Sequence, residues 1–198
     1  GTVAVCEWQS AGRGRGDRRW ECPPSAGVLF SLALAPDTPA GRLAPLSLTV
    51  ADAVCSALDP SAAVKWPNDV VVDGRKLAGV LLELRGRAMT VGVGINANLT
   101  AADLPADARL PATSLQILRG APVDRAAVLA DTLLAIERAY DRFERVGFSG
   151  VSRDYLAGRV VRIDGAPGAP CGGIQADGSL LVGGSSILFG EASAVSGV

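Results

Sequence analysis

Four short blocks of this 198-residue chain hold residue types that could handle anions. The first is Gly12-Arg13-Gly14-Arg15-Gly16-Asp17-Arg18-Arg19-Trp20, with the lead-in Gln9-Ser10-Ala11. Arginine offers a planar fork of donors that matches carboxylate and phosphate oxygens. Glycine lets the backbone approach a ligand closely. Such a segment repels itself when empty, so it is expected to be loose alone and ordered around an anion. Gln9 both donates and accepts, which suits a neutral amide or ureido group. A solvated Arg/Gly loop that binds RNA without sequence preference is the plainer alternative.

The second block, Lys65-Trp66-Pro67-Asn68-Asp69, puts a base, an aromatic, an amide and an acid into one turn between apolar segments. It reads either as a ligand-facing turn or as a hairpin corner whose Asn68 and Asp69 bond their own backbone. In the third, Arg75-Lys76-Leu77-Ala78-Gly79-Val80-Leu81-Leu82-Glu83, Lys76 opens an apolar strand and Gly79 leaves room for a ligand. A lysine there could bridge a carboxylate and a phosphate, or be a solvated edge residue. The fourth, Gly92-Val93-Gly94-Ile95-Asn96, ends a strand on an amide that could face phosphate oxygens.

Composition limits what these blocks can do. The chain has no histidine, which removes Ser-His-Asp and Cys-His catalysis and histidine metal sites. Its four cysteines are scattered without a CxxC pair, so a zinc cage is not expected and reduced cytosolic thiols are. The net charge of −1 argues against a protein that coats nucleic acid. No apolar run of about 18 residues predicts a membrane span, and no signal peptide is read. With 48% hydrophobic residues a sizeable core is available.

The elements that must position the blocks follow from apolar spacing. Strands are expected over residues 2–6, 28–34, 64–66, 70–72, 76–84 and 90–95, the last buried on both faces because Val93, Gly94 and Ile95 do not alternate. A helix is expected over 43–58, and a long amphipathic helix capped by Asp124 with the stripe Val128, Leu129, Leu133, Ile136, Tyr140 and Phe143. A polar loop is expected from Asn96 to Pro111, and a short helical piece over 152–156. Beyond Gly158 short β segments alternate with glycine turns at 160–163, 171–174, 176–178, 180–182 and 187–189, which reads as a small all-β barrel with a boundary near residue 150.

In this order and spacing the blocks resemble the biotin protein ligase family. The matching stretches are residues 9–20, 65–69, 75–83 and 91–96, and the segments IQADGSLLV and GEASAV are similar to that family's C-terminal SH3-like domain. The resemblance implies an α+β fold: a mixed β-sheet backed by helices, related to class II aminoacyl-tRNA synthetases, over residues 1–150, with the SH3-like barrel over 151–198. It implies an enzyme that activates biotin with ATP and Mg²⁺ to biotinyl-5′-AMP and passes biotin to a lysine of a carboxyl carrier domain of an acyl-CoA carboxylase. Lys76, Arg13 and Arg15 would be catalytic. Gln9, Gly12, Arg13, Gly14, Arg15, Lys76 and Gly79 would hold biotin, with no metal fixed by the protein itself. Arg15, Arg18, Trp20, Lys65, Asn68, Asp69, Lys76 and Asn96 would line the ATP and adenylate side. A cytoplasmic protein is implied, with no nucleic-acid or membrane partner and a homodimer left open. A lipoate or octanoate ligase, or a remnant with impaired catalysis, are the neighbouring alternatives.

The sequence departs from the family pattern in three places. The usual Ser/Thr-rich stretch is missing upstream of Gln9, so an N-terminally truncated, monofunctional member without a helix-turn-helix is expected. Gly16-Asp17 stands where a basic residue and then glycine are more usual, and Val195 where an arginine is.

Overall fold

The computed structural model describes residues 1–105 and 110–195; the part of the expected loop at 106–109 and the end of the expected barrel at 196–198 lie outside the described residues. The first sheet has six antiparallel strands: β1 (Thr2–Cys6), β2 (Val28–Leu34), β3 (Ala63–Lys65), β4 (Asp69–Val72), β5 (Arg75–Arg85) and β6 (Ala88–Ile95), in the order β1-β2-β6-β5-β4-β3. A single face is covered by helices α1 (Leu46–Leu58) and α3 (Arg125–Val146), with the short α2 (Leu115–Arg119) between them in sequence.

Period-2 alternation divides the two central strands β2 and β6. In β6, Met89, Val91, Val93 and Ile95 are buried in the helix-backed core, while Thr90, Gly92 and Gly94 face the other way. In β2, Val28, Phe30 and Leu32 point inward and Ser31 lies between them. The expectation that β6 is buried equally on both faces is therefore corrected. Glycine counts as apolar in a sequence window, but here it leaves an open floor rather than a packed face.

Other expectations shift by a few residues for local reasons. Helix α1 starts at Leu46 rather than residue 43, because Pro45 biases the residue before it away from helical backbone. Asp124 caps α3 as expected, its Oδ1 accepting from the amides of Ala126 (2.9 Å) and Ala127 (3.3 Å). The expected helical piece at 152–156 is extended instead. The Val64 amide donates to the Arg153 carbonyl and the Tyr155 amide to the Val64 carbonyl, both at 2.9 Å, so this stretch lies beside β3 as a parallel bridge.

The second sheet contains β7 (Val160–Ile163), β8 (Ala169–Ile174), β9 (Leu180–Val182), β10 (Ser185–Ile187) and β11 (Ala192–Ala194), ordered β10-β9-β8-β7-β11. Residues 176–178 form the turn between β8 and β9, and the expected strand at 187–189 ends at Ile187, leaving Leu188 and Phe189 exposed. Val161, Cys171, Leu180, Val182 and Ala192 join the same apolar cluster as the first sheet. Trp66, only 1% exposed, reaches across, its Nε1 donating to the Gly178 carbonyl at 3.0 Å. The aromatic of the second block is thus core. Among the described residues no helix is long and apolar enough to cross a membrane.

Trp66→Phe removes that hydrogen bond and some buried ring. It is expected to cost about 2 kcal/mol of stability and to speed amide exchange in β8 and β9, checked by denaturant unfolding and hydrogen exchange.

Candidate active site

The side of the first sheet away from the helices carries a groove. Its floor is the paired glycines Gly79 and Gly94 with Gly92 beside them. A Cβ on Gly94 would lie 2.5 Å from Trp20 Cε2, and one on Gly79 would lie 3.1 Å from the same ring, so only glycine lets the indole rest on the strands. Trp20 Nε1 is buried with no hydrogen-bond partner, which places a donor in the groove wall. A cleft of about 190 Å³ runs over this floor, lined also by Gln9, Phe30, Ser31, Leu81 and Thr90.

Lys76 enters the groove through an irregularity in β5. Val70 pairs with Ala78 but Val71 pairs with Lys76, so Leu77 is an extra residue in the ladder. Leu77 and Ala78 are both fully buried. The extra residue reverses the alternation, and a strand bulged in this way re-aims its side chains. Lys76 then shares the face of Gly79, with its Nζ 3.3 Å from the Cβ position there and 5.4 Å from the Trp20 ring centroid. Beyond Ala78 the backbone of Lys76 leaves β6 for residues 111–113, its amide donating to the Pro111 carbonyl at 2.7 Å.

Asp69 lies between two ammonium groups. Its Oδ1 is 2.6 Å from Lys76 Nζ and its Oδ2 is 4.0 Å from Lys65 Nζ. Lys65 is 7% exposed, and burial pushes its pKa down, against the pull of Asp69. These three groups line a second, wider cleft of about 1320 Å³ that continues from the first, with Asn96, Arg18, Trp20 and Glu191 on its walls.

The arginine block is a small hairpin rather than a loose loop. The Gly14 amide donates to the Arg18 carbonyl at 2.8 Å and the Trp20 amide to the Gly12 carbonyl at 3.0 Å, with Arg13 bridged to Arg19. Gly12 is buried inside it, Gly16 turns its tip with φ +62°, and Asp17 is exposed there. The expected looseness is corrected for a physical reason: carboxylates of the chain itself supply the counter-charge. Arg13 makes a bidentate pair with Glu83, Nη1 to Oε1 being 2.6 Å. Arg18 makes another with Glu191, and Arg15 Nη1 donates to the Gly190 carbonyl at 3.3 Å.

Most of the expected site residues come together, but two are engaged in holding backbone. Asn68 Nδ2 donates to the Val80 carbonyl at 2.6 Å and pins the second block to β5. Asn96 Nδ2 donates to the Thr113 carbonyl (3.0 Å) and, more weakly, to that of Lys76 (3.4 Å). Gln9 lines both clefts. Ser31 and Thr90 were not anticipated as groove residues. Ser31 was discoverable, being the one polar residue in the otherwise apolar run of β2. Burial pushes the Cys55 thiol up to about 12 and raises those of Cys22, which lines the wide cleft, and Cys171 as well.

Residues 1–99 match the model of the Biotin/lipoate A/B protein ligase family. The chain belongs to this family. It is 37% identical over 160 residues to the bifunctional ligase/repressor BirA of Bacillus subtilis, covering 76% of this chain and 49% of that protein. It is 35% identical over 161 residues to the biotin–[acetyl-CoA-carboxylase] ligase of Paracoccus denitrificans, covering 75% and 67%. The chain thus spans about half the length of the bifunctional relatives it matches. Among solved structures it is similar to a biotin protein ligase from Aquifex aeolicus in complex with biotin and ATP, with a TM-score of 0.81 and 30% identity over 98% of this chain and 88% of that one. The α+β architecture, with two antiparallel sheets and few helices, is that of these biotin ligase structures.

Lys65 keeps its charge at a cost, because burial opposes what Asp69 favours. Its lowered pKa means the folded state binds fewer protons than the unfolded state below 10.5, so this lysine makes stability rise as pH climbs through that window. Lys65→Met is expected to stabilise the fold by about 1 kcal/mol at neutral pH, since replacing a buried charge with an apolar chain is often favourable, and Asp69 keeps Lys76. The alkaline rise in stability should shrink with it. Thermal unfolding at pH 7 and pH 9.5 checks both.

Proposed function

We propose that the chain is a biotin protein ligase, which joins biotin to AMP at the expense of ATP and then transfers it to a protein lysine. The carrying observation is Lys76: a lysine re-aimed by a bulge onto a glycine floor, held by Asp69, where the narrow cleft opens into the wide one. A slender acyl chain fits the narrow cleft, and a nucleotide the wide one. At their junction a carboxylate oxygen would attack the α-phosphorus of ATP, forming the mixed anhydride as pyrophosphate leaves.

Both reactants are anions, so the site's task is to offset charge and fix an in-line approach. Lys76 lies at the junction, while Lys65 and Arg18 face the wide cleft and Arg15 the narrow one. Trp20 covers the glycine floor and excludes water, which would otherwise hydrolyse the anhydride. In the second step a lysine amine attacks the biotinyl carbonyl and AMP departs. Asp69, engaged by two ammonium groups, serves to position Lys76 rather than to take that amine's proton. Mg²⁺ would travel on the ATP phosphates, since hard divalent cations favour such oxygens. Among the described residues no group of three or more His, Cys, Asp or Glu is arranged to cage an ion.

Biotin is favoured over lipoate by the polar lining of the narrow cleft, where Gln9, Ser31 and Thr90 could pair with a ureido group and would be left unpaired by a dithiolane. The acceptor in this proposal is a carboxyl carrier domain of an acyl-CoA carboxylase, in keeping with the name of the Paracoccus relative. A cytoplasmic setting, no nucleic-acid or membrane partner, and the division into a catalytic part (1–150) and an SH3-like module (151–198) belong to the same proposal. So does self-association into a homodimer, for which edge strand β1 offers exposed Val3 and Val5.

The test is isotope exchange between pyrophosphate and ATP. The chain is expected to catalyse it in the presence of biotin, and Lys76→Ala to slow it about 10²- to 10³-fold, the usual effect of removing one charge-stabilising donor. Exchange supported by lipoate and not by biotin would overturn the assignment.

A further inference from the structure

The arginines of the hairpin point to two different places. Arg18 binds Glu191 and faces the wide cleft, and Arg15 reaches Gly190 beside it. Arg13 turns the other way, to Glu83. Gly79, Leu81 and Glu83 follow one another on the groove face of β5, all lining the narrow cleft. Lys76 places its ammonium over Gly79, whereas Glu83 stands four residues on, about 13 Å farther along the strand. With both outer guanidinium nitrogens taken by Glu83, Arg13 is held at the end of the groove opposite the reacting junction.

We propose that Arg13 is a positioning residue and not a charge at the reacting atoms: with Glu83 it forms a clamp that closes the hairpin over the far end of the narrow cleft. This rests on the biotin ligase reading, and it departs from the catalytic role that the family resemblance implies for Arg13. The side chains of Arg13 and Glu83 are 60% and 30% exposed, and exposed pairs contribute little to global stability. The clamp's effect is local. It ties the Gly12–Trp20 ladder to β5, and with it Trp20 to the glycine floor. Its bidentate geometry fixes direction as well as distance. A ligand head group deep in the cleft is then covered by the hairpin backbone and by Gln9, while Lys76, Arg15 and Arg18 handle the anions.

The experiment compares Arg13→Gln, Glu83→Gln and the charge swap Arg13→Glu with Glu83→Arg in the full chain. Two quantities are measured: hydrogen exchange at the Gly14 and Trp20 amides without ligand, and KM for biotin and kcat in pyrophosphate exchange. Each single variant is expected to speed amide exchange and raise KM about two- to fivefold, the scale of one exposed bidentate pair. In both, kcat should fall far less than KM rises. The swap should recover both quantities, because it restores the clamp with no cation at position 13. A swap that recovers amide protection but keeps the low turnover of a lost catalytic charge would overturn the proposal. So would single variants with unchanged amide exchange. A wild-type chain with no biotin-dependent activity would instead remove the ligase reading, and the amide measurement would still decide whether the clamp exists.

Discussion

The site depends on one extra residue in a strand. If β5 kept strict alternation through Leu77, then Ala78 facing the core would put Lys76 there as well. An ammonium in that apolar layer would be too costly to keep charged. The bulge instead buries two consecutive residues, Leu77 and Ala78, and turns Lys76 into the groove. It also frees backbone. The Asn96 amide donates to the Leu77 carbonyl at 2.9 Å, and residues 111–113 pair with Lys76. The end of β6, the segment leading to α2 and the third sequence block are therefore joined at the point where Lys76 leaves the sheet.

From there the glycines acquire their meaning. A floor of Gly79, Gly92 and Gly94 lies on the one face of the sheet not covered by helices. Exposed glycine backbone in mid-strand weakens a sheet. Trp20 offsets part of this by lying on the floor, and the lysine stem of Lys76 offsets more. The same contacts that protect the empty sheet shape the groove, so stability and ligand geometry are set by the same atoms. Trp66 does a parallel job on the core side, where it links the second block to the turn between β8 and β9.

How much was legible in the sequence follows from the range of each interaction. Alternating apolar runs, the Asp124 cap and the four blocks act within a few residues, and most strands, the long helix and the gap at Gly79 could be read from them, whereas the open face at Gly92 and Gly94 could not, because a glycine in an apolar run looks the same whether its face is packed or bare. The phase reversal at Leu77 could not, because a bulge is defined only against the partner strand, here β4. Nor could the partners of the arginines. Glu83 is 70 residues from Arg13 and Glu191 is 173 from Arg18, and nothing local marks either acid as a counter-ion. Asn68 and Asn96 illustrate the converse. Their amide type suits phosphate recognition, but the edge of β5 beyond its pairing with β4 and a nearby loop needed donors, and the carbonyls of Val80 and Thr113 took them.

The empty site is thus not a bare cluster of like charges. Arg13, Arg18 and Lys76 each hold a carboxylate of the chain, and Lys65 shares the Asp69 of Lys76. Unpaired, several cations gathered around one cleft would repel one another, more strongly in a partly buried site than in water. Paired, they can be packed into an ordered hairpin on a protein of net charge −1. Anion binding at such a site is an exchange, in which a ligand's oxygens compete with internal ones. Its net gain is smaller than the gross attraction, and it discriminates by geometry. A ligand gains only where its oxygens reach a cation better than the resident carboxylate does, and of these cations Lys76 alone combines a groove position with a single-point pair that leaves donors over.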